Sequence, residues 1–481
     1  MMRFFNRLNL SNFNLNLNEM KKNLLLLFLV LSITKISAQC WQSIYTGDFH
    51  SFAISNNGIL LGWGWNQEGQ LGDGTTTTKN NPTQIGISTN WQTISIGSVH
   101  SIALKTDGTL WACGRNTSGE LGDGTNIERN SFTQIGTDNN WIFINAGSYY
   151  SVAIKNDGTL WAWGTNLSGE LGDGTNLNKN IPTKIGLSTN WVSVYAGYGK
   201  TIAKKSNGTI WAWGTNGYGQ LGIGSTINKN TPTQIGIDTN WQNLFSGNNH
   251  TIASKTDGTL WAWGRNNYGQ LGNGTNIDSN IPISIGFSNT WLNISNGSGQ
   301  TLAIKSNGTL WAWGYNSDSQ FGDGTTLNRN SPTQIGTDID WQNIYSEGNH
   351  TLGLKSNNTL LAWGLNQNGQ LGDGSYINRT TPVLLTCPQL SNANFIQNNE
   401  TIKVYPNPAK SIITFDFGNI KILNDWSYKI VNSLGQEVMN GVVNSNQNII
   451  LLNKLNGQGI YFVKIYNESN KLMDTKKIIV Q

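Results

Sequence analysis

The sequence predicts an all-β protein, a seven-bladed β-propeller followed by a C-terminal immunoglobulin-like β-sandwich. Three observations predict it. Tryptophan recurs every fifty residues as Trp41, Trp91, Trp141, Trp191, Trp241, Trp291 and Trp341, with no insertion or deletion. The 481 residues include 56 Gly and 20 Trp but 9 Pro, the composition of a turn-rich repeat body rather than of a helical enzyme. The repeat then stops, and short apolar runs broken by Gly and Asn fill the region from 401 to 481.

The elements follow in chain order. Lys21 and Lys22 precede the apolar run Leu24 to Ile33, and Ile36-Ser37-Ala38 supplies small residues before Gln39. That layout predicts a signal peptide over 20–38 and a start at Met20, with 1–19 as upstream translation. The run is shorter than the ~20 residues needed to span a bilayer, so no transmembrane segment is expected after cleavage. Gln39 does not suit a lipoprotein cleavage before Cys40.

From 39 to 387 each unit reads as four strands. In the second unit these are Trp91 to Gly97, Ser101 to Lys105, Thr109 to Gly114, and Thr133 to Gly136 after a polar loop. Asp107-Gly108 and its counterparts suit a two-residue hairpin turn with positive φ at both central positions, and Asn357-Asn358 is the exception. Two further tryptophan series, through Trp163 and through Trp161, stand two residues apart on one strand face and are expected to pack between blades.

Gly97-Ser98-Val99-His100-Ser101, Trp161-Ala162-Trp163-Gly164-Thr165-Asn166 and Gly169-Glu170-Leu171-Gly172 resemble the repeats of the regulator of chromosome condensation family. The resemblance covers 41 to about 386 and implies a seven-bladed propeller. It also raises guanine-nucleotide exchange, which export argues against, and inhibition of an extracellular enzyme.

Cys113 stands at a core Trp position and is expected to be a buried free thiol. Cys40 and Cys387 flank the array, and in repeat register they fall three residues apart across a turn, so a disulfide fastening the last blade to the first is expected. Residues 388–400 read as a linker. In 401–481, Val404-Tyr405-Pro406-Asn407-Pro408, Gly459-Ile460-Tyr461-Phe462-Val463-Lys464 and Lys476-Lys477-Ile478-Ile479-Val480 resemble a type A sorting domain of type IX secretion substrates. Tyr405, Pro406, Asn407, Pro408, Gly459, Tyr461 and Lys477 carry the motif. The resemblance implies a Bacteroidetes-type bacterium, the type IX machinery as partner, and release or attachment at the outer cell surface.

Chemistry is sparse. A net charge of +4 with no long basic run excludes nucleic acid as a main partner. No phosphate loop, zinc cluster or nucleophile elbow is present, so neither cofactor nor metal nor catalytic residue is expected. The ladder Asp73, Asp123, Asp173, Asp323, Asp373 reads as turn chemistry, and His50, His100, His250 and His350 share one structural phase. The one constellation an enzyme could use is Asp48 with Glu347, on neighbouring blades, for acid–base work on a sugar. Binding is the preferred expectation. The variable loops gather Phe49, Trp65, Arg115, Tyr149, Tyr198, Tyr218, Arg265, Tyr268 and Tyr315 on one face, the residue types that dominate interfaces. A secreted or surface-displayed monomer that engages an extracellular protein or glycan through this face, without catalysis, is the expectation.

Overall fold

The computed structural model describes residues 41–286 and 290–386, then 402–417, 426–432, 436–443, 445, 447–452, 455, 457–467 and 472–481. The expected leader 20–38, residues 1–19, the linker 388–400 and both Cys40 and Cys387 lie outside the described residues. The chain divides into two compact units, 1–387 and 388–481. No helix among the described residues is long and apolar enough to cross a membrane.

Among the described residues the first unit holds seven antiparallel sheets, each of four consecutive strands. In the second blade these are Trp91–Ile96, His100–Lys105, Leu110–Gly114 and Arg129–Gln134. Burial follows the radius of the ring. The first strand alternates, the second is buried throughout, and the fourth is mostly open to solvent. The fourth strand therefore starts earlier than expected and ends before Gly136, whose φ of 63° turns the chain. A polar edge strand leaves no hydropathy signal to mark its start.

The hairpins also differ from expectation. Gly108 has φ 79°, but Asp107 is not among the residues with positive φ. Gly108 N donates to Lys105 O at 2.9 Å and Lys105 N to Thr109 O at 3.1 Å, which makes a three-residue loop closed by a glycine bulge. Asp107 Oδ1 instead accepts from the Thr109 backbone and hydroxyl, so its role is to hold the turn. In the last blade Asn358 takes the glycine's place at φ 63°.

Cohesion lies between blades. Trp141 of the third blade packs on Trp161 and Trp163 at 5.9 and 6.3 Å, in a cluster shared with Ile102, Leu104 and Leu110 of the second. The same seam closes the ring. Trp41, Leu61 and Trp63 cluster with Leu352, Leu354 and Leu385, and Trp63 Nε1 donates to Gln370 O at 2.9 Å. Cys113 is buried and free.

A polar belt runs through these apolar seams. Each blade sends one fully buried side chain to its neighbour: His50, His100, Tyr150, Lys200, His250, Gln300 and His350. His50 Nε2 lies 2.8 Å from Ser101 Oγ, His100 Nε2 2.9 Å from Ser151 Oγ, and His350 Nε2 2.8 Å from Ser51 Oγ, which completes the circle. The serines donate onward to the carbonyls of Gln70, Glu120 and Gln370. A hydroxyl has one proton, so each of these histidines donates through Nε2. Burial pushes the histidines down to about 3.

The second unit pairs a three-stranded sheet, Lys403–Tyr405, Ile412–Asp416 and Gln447–Leu451, with a four-stranded one. The latter runs Glu437–Val442, Ser427–Asn432, Gly459–Tyr466 and Leu472–Val480. One core of Ile413, Phe415, Ile430, Val463, Ile465 and Ile478 lies beneath them. Asn407 bridges to the last strand, donating to Lys477 O and accepting from Ile479 N, both at 2.9 Å. Pro406 and Pro408 flank it, both after cis peptide bonds. Tyr461 is buried and its hydroxyl donates to Gly457 O at 2.9 Å, just before Gly459 opens its strand.

Candidate functional site

Two kinds of loop share one end of every blade. The turn after the first strand and the loop after the third are joined by backbone bonds, such as Trp65 N to Phe49 O at 2.9 Å and Arg265 N to Asn249 O at 2.9 Å. Each long loop is wound around a buried asparagine. Asn266 accepts from Leu271 N at 2.9 Å and donates to Thr275 O and Ile277 O at 3.0 and 3.1 Å. Asn216 does the same work one blade earlier. The loops are therefore rigid platforms.

On this face the structure brings Tyr218, Arg265, Tyr268 and Tyr315 together across three blades. The Arg265 guanidinium lies 4.7 Å from the Tyr218 ring and 5.9 Å from the Tyr268 ring, and Tyr268 meets Tyr315 at 4.8 Å. Tyr218 keeps 40 % of its surface in solvent. Two smaller groups stand apart: Phe49 edge-on to Trp65 at 5.7 Å, and Arg115 over Tyr149 at 5.3 Å. Tyr198 is exposed. The nine aromatic and arginine residues thus form one extended ladder, two pairs and a lone ring.

At the axis of the same face the first-strand turns converge on a recess of about 40 Å³. Asp48 and Glu347 line it together with Ser98, Asn248 and Asn296. Glu347 occupies the repeat phase that is Gly47, Gly97, Gly147, Gly197, Gly247 and Gly297 in the other blades. The Ser98 hydroxyl donates to Asp48 Oδ2, and Glu347 N donates to Thr46 Oγ1 at 3.1 Å. Glu347 is exposed to solvent, yet desolvation by the recess walls, with the negative charge of Asp48 added, pushes its carboxyl up to about 8. Asp48 is raised as well, by burial. The recess is far smaller than the ~300–1,000 Å³ of ordinary ligand pockets, so the pair does not enclose a sugar.

The Asp-Gly carboxylates serve their turns. Asp123 accepts from Asn116, Thr125 and Arg129, and Asp73, Asp173, Asp323 and Asp373 are placed alike. No group of three His, Cys, Asp or Glu that could hold a metal is found among the described residues. Sequence reasoning passed over Asn296, because its phase holds Thr46, Ser246 and Ser346 as well as Ile96, Ala146 and Ala196, so a polar residue there does not stand out along the chain.

Seven four-stranded sheets fastened by a cyclic belt, with their loops presented at one end, define a propeller-type scaffold. The chain belongs to a particular family of these: the regulator of chromosome condensation (RCC1) repeat matches residues 57–104, 107–154, 157–203, 207–254, 257–304 and 307–354. A second description of the same repeat matches 41–70 and five later segments. Each match from a hairpin turn onward straddles two blades, as the inter-blade seams do. Residues 403–481 match the secretion system C-terminal sorting domain, which marks the chain for type IX export to the cell surface or the medium. No curated protein matches the chain. Among solved structures, human WBSCR16 is similar at 20 % identity and TM-score 0.62, over 69 % of this chain and 95 % of that one. Prp20p from Saccharomyces cerevisiae is similar at 19 % identity and TM-score 0.62, over 72 % and 88 %. At these identities the likeness is one of fold.

Proposed function

We propose that the chain is a non-enzymatic binding protein, exported by its sorting domain, whose propeller loop face engages an extracellular protein or glycan. The observation that carries the reading is the ladder Tyr218, Arg265, Tyr268, Tyr315. Tyrosine and arginine on rigid loops lose little entropy on binding and supply the largest contributions at interfaces. The Arg265 guanidinium lies over the Tyr218 and Tyr268 rings and Tyr315 packs on Tyr268, so the ring faces already have neighbours within the ladder, which favours a protein partner over stacked sugar. The small axial recess leaves no room for a sugar between Asp48 and Glu347.

The test is capture with the full chain from culture fluid and cell envelopes, beside a glycan panel, comparing wild type with Tyr218→Ala plus Tyr268→Ala. The expected outcome is a partner bound by wild type and weakened about tenfold or more by the double variant, as at hot spots, with an unchanged melting temperature. Equal capture by both proteins, or turnover of a glycan that is lost on Asp48→Asn, would overturn the reading.

A further inference from the structure

We propose that the axial recess is a binding site for one divalent cation of calcium size, held by the carboxylates of Asp48 and Glu347 and the amide oxygen of Asn296. The three residues come from the first, seventh and sixth blades, which are consecutive around the closed ring, and all line the same recess. Two carboxylates face it, and its lining includes no Lys or Arg to balance them. Asn296 supplies an independent pointer. It is 5 % exposed, its Nδ2 is anchored on Phe245 O at 2.9 Å, and its Oδ1 has no hydrogen-bond partner. Ser246 lines the recess too, and its Oγ is likewise without one.

A buried amide oxygen left unpaired costs free energy that a cation would recover, because oxygen donors are what hard divalent ions take. The volume fits such an occupant. About 40 Å³ admits an ion with roughly two waters, at ~10–15 Å³ of probe volume each, and nothing larger. Calcium accepts about 6–8 oxygens in flexible geometry, so three side chains and a few waters serve it better than the strict octahedron of magnesium. With only two carboxylate ligands, and with Glu347 giving up its proton on binding, the expected affinity is the ~0.1–1 mM of extracellular calcium modules. Such a site would fasten the last blade to the first with an ion drawn from the medium.

The experiment is calorimetric titration and thermal unfolding of the chelator-stripped full chain with CaCl2, MgCl2 and KCl. Wild type is expected to bind one Ca²⁺ and to melt higher with it. Glu347→Gln is expected to lose about tenfold or more in affinity, no less than changes to the outer-shell partners of metal ligands cause, while melting in chelator no lower than wild type, since an amide keeps the shape of the carboxyl. Asn296→Ala is expected to weaken binding in the same direction, and Asp123→Asn, in an outer turn, to leave it unchanged. Absence of binding in wild type, unchanged binding in Glu347→Gln, loss in Asp123→Asn, or preference for Mg²⁺ or K⁺ would each overturn the assignment. The loop ladder is not involved, so this site and the proposed partner binding fail independently.

Discussion

At the scale of the residue, the belt histidines make the propeller acid-sensitive. His100 and His250 are fully buried, donate through Nε2, and have no partner at Nδ1, so a second proton would have no acceptor. Their folded values near 3 lie below the usual 6.5. Between those limits the unfolded chain binds more protons, so stability is full above pH 6.5 and falls as pH drops toward 3. Each histidine contributes up to about 5 kcal/mol to that loss, at about 1.36 kcal/mol per unit. Denaturant titrations at stepped pH should show it, and His100→Gln, which copies the natural occupant Gln300 of the same repeat phase, should flatten the slope. Lys200 meets the same constraint differently: its ammonium reaches Thr251 Oγ1 at 2.7 Å, and burial brings it down to about 7.

At the scale of the element, the hairpin decides the register of each blade. Six blades place Gly at the left-handed position, from Gly58 at φ 77° to Gly308 at φ 79°, while the seventh uses Asn358 at φ 63°. A left-handed asparagine is strained where glycine is not, and glycine's greater unfolded entropy returns part of the difference. Asn358→Gly should therefore stabilise the chain by about 0.5 kcal/mol, read as a higher denaturant midpoint. The two-residue turn expected at Asp107-Gly108 failed for a local reason. Asp107 gains two bonds from Thr109 with ordinary negative φ, so the loop lengthens by one residue rather than forcing aspartate left-handed.

At the scale of the whole molecule, the ring is closed among the described residues by packing and by hydrogen bonds such as His350 to Ser51 and Trp63 to Gln370, without a shared strand. No sheet borrows a strand from the other end of the repeat, and the seam of the first and seventh blades repeats the internal seams. Trp63→Ala should thus cost about 3–5 kcal/mol, as Trp213→Ala should, since both rings are fully buried and bonded to a neighbouring blade's carbonyl. Parallel chemical denaturation of the two variants checks this. A clearly smaller cost at Trp63 would mean that another fastening carries the seam.

The number of blades, the tryptophan seams and the sorting domain were all legible along the chain, because each rests on residue identity repeated at a fixed spacing or in an ordered motif. So were the ladder tyrosines and the pair Asp48 and Glu347, whose identities break the repeat. Which of these residues meet was settled by the folded ring. Arg265 reaches Tyr218 across a blade boundary, and Asp48 and Glu347 share a small recess rather than an open cleft. Ring closure brings residues some three hundred positions apart into contact, and the volume left at the axis depends on how seven turns pack, a quantity no spacing along the chain records.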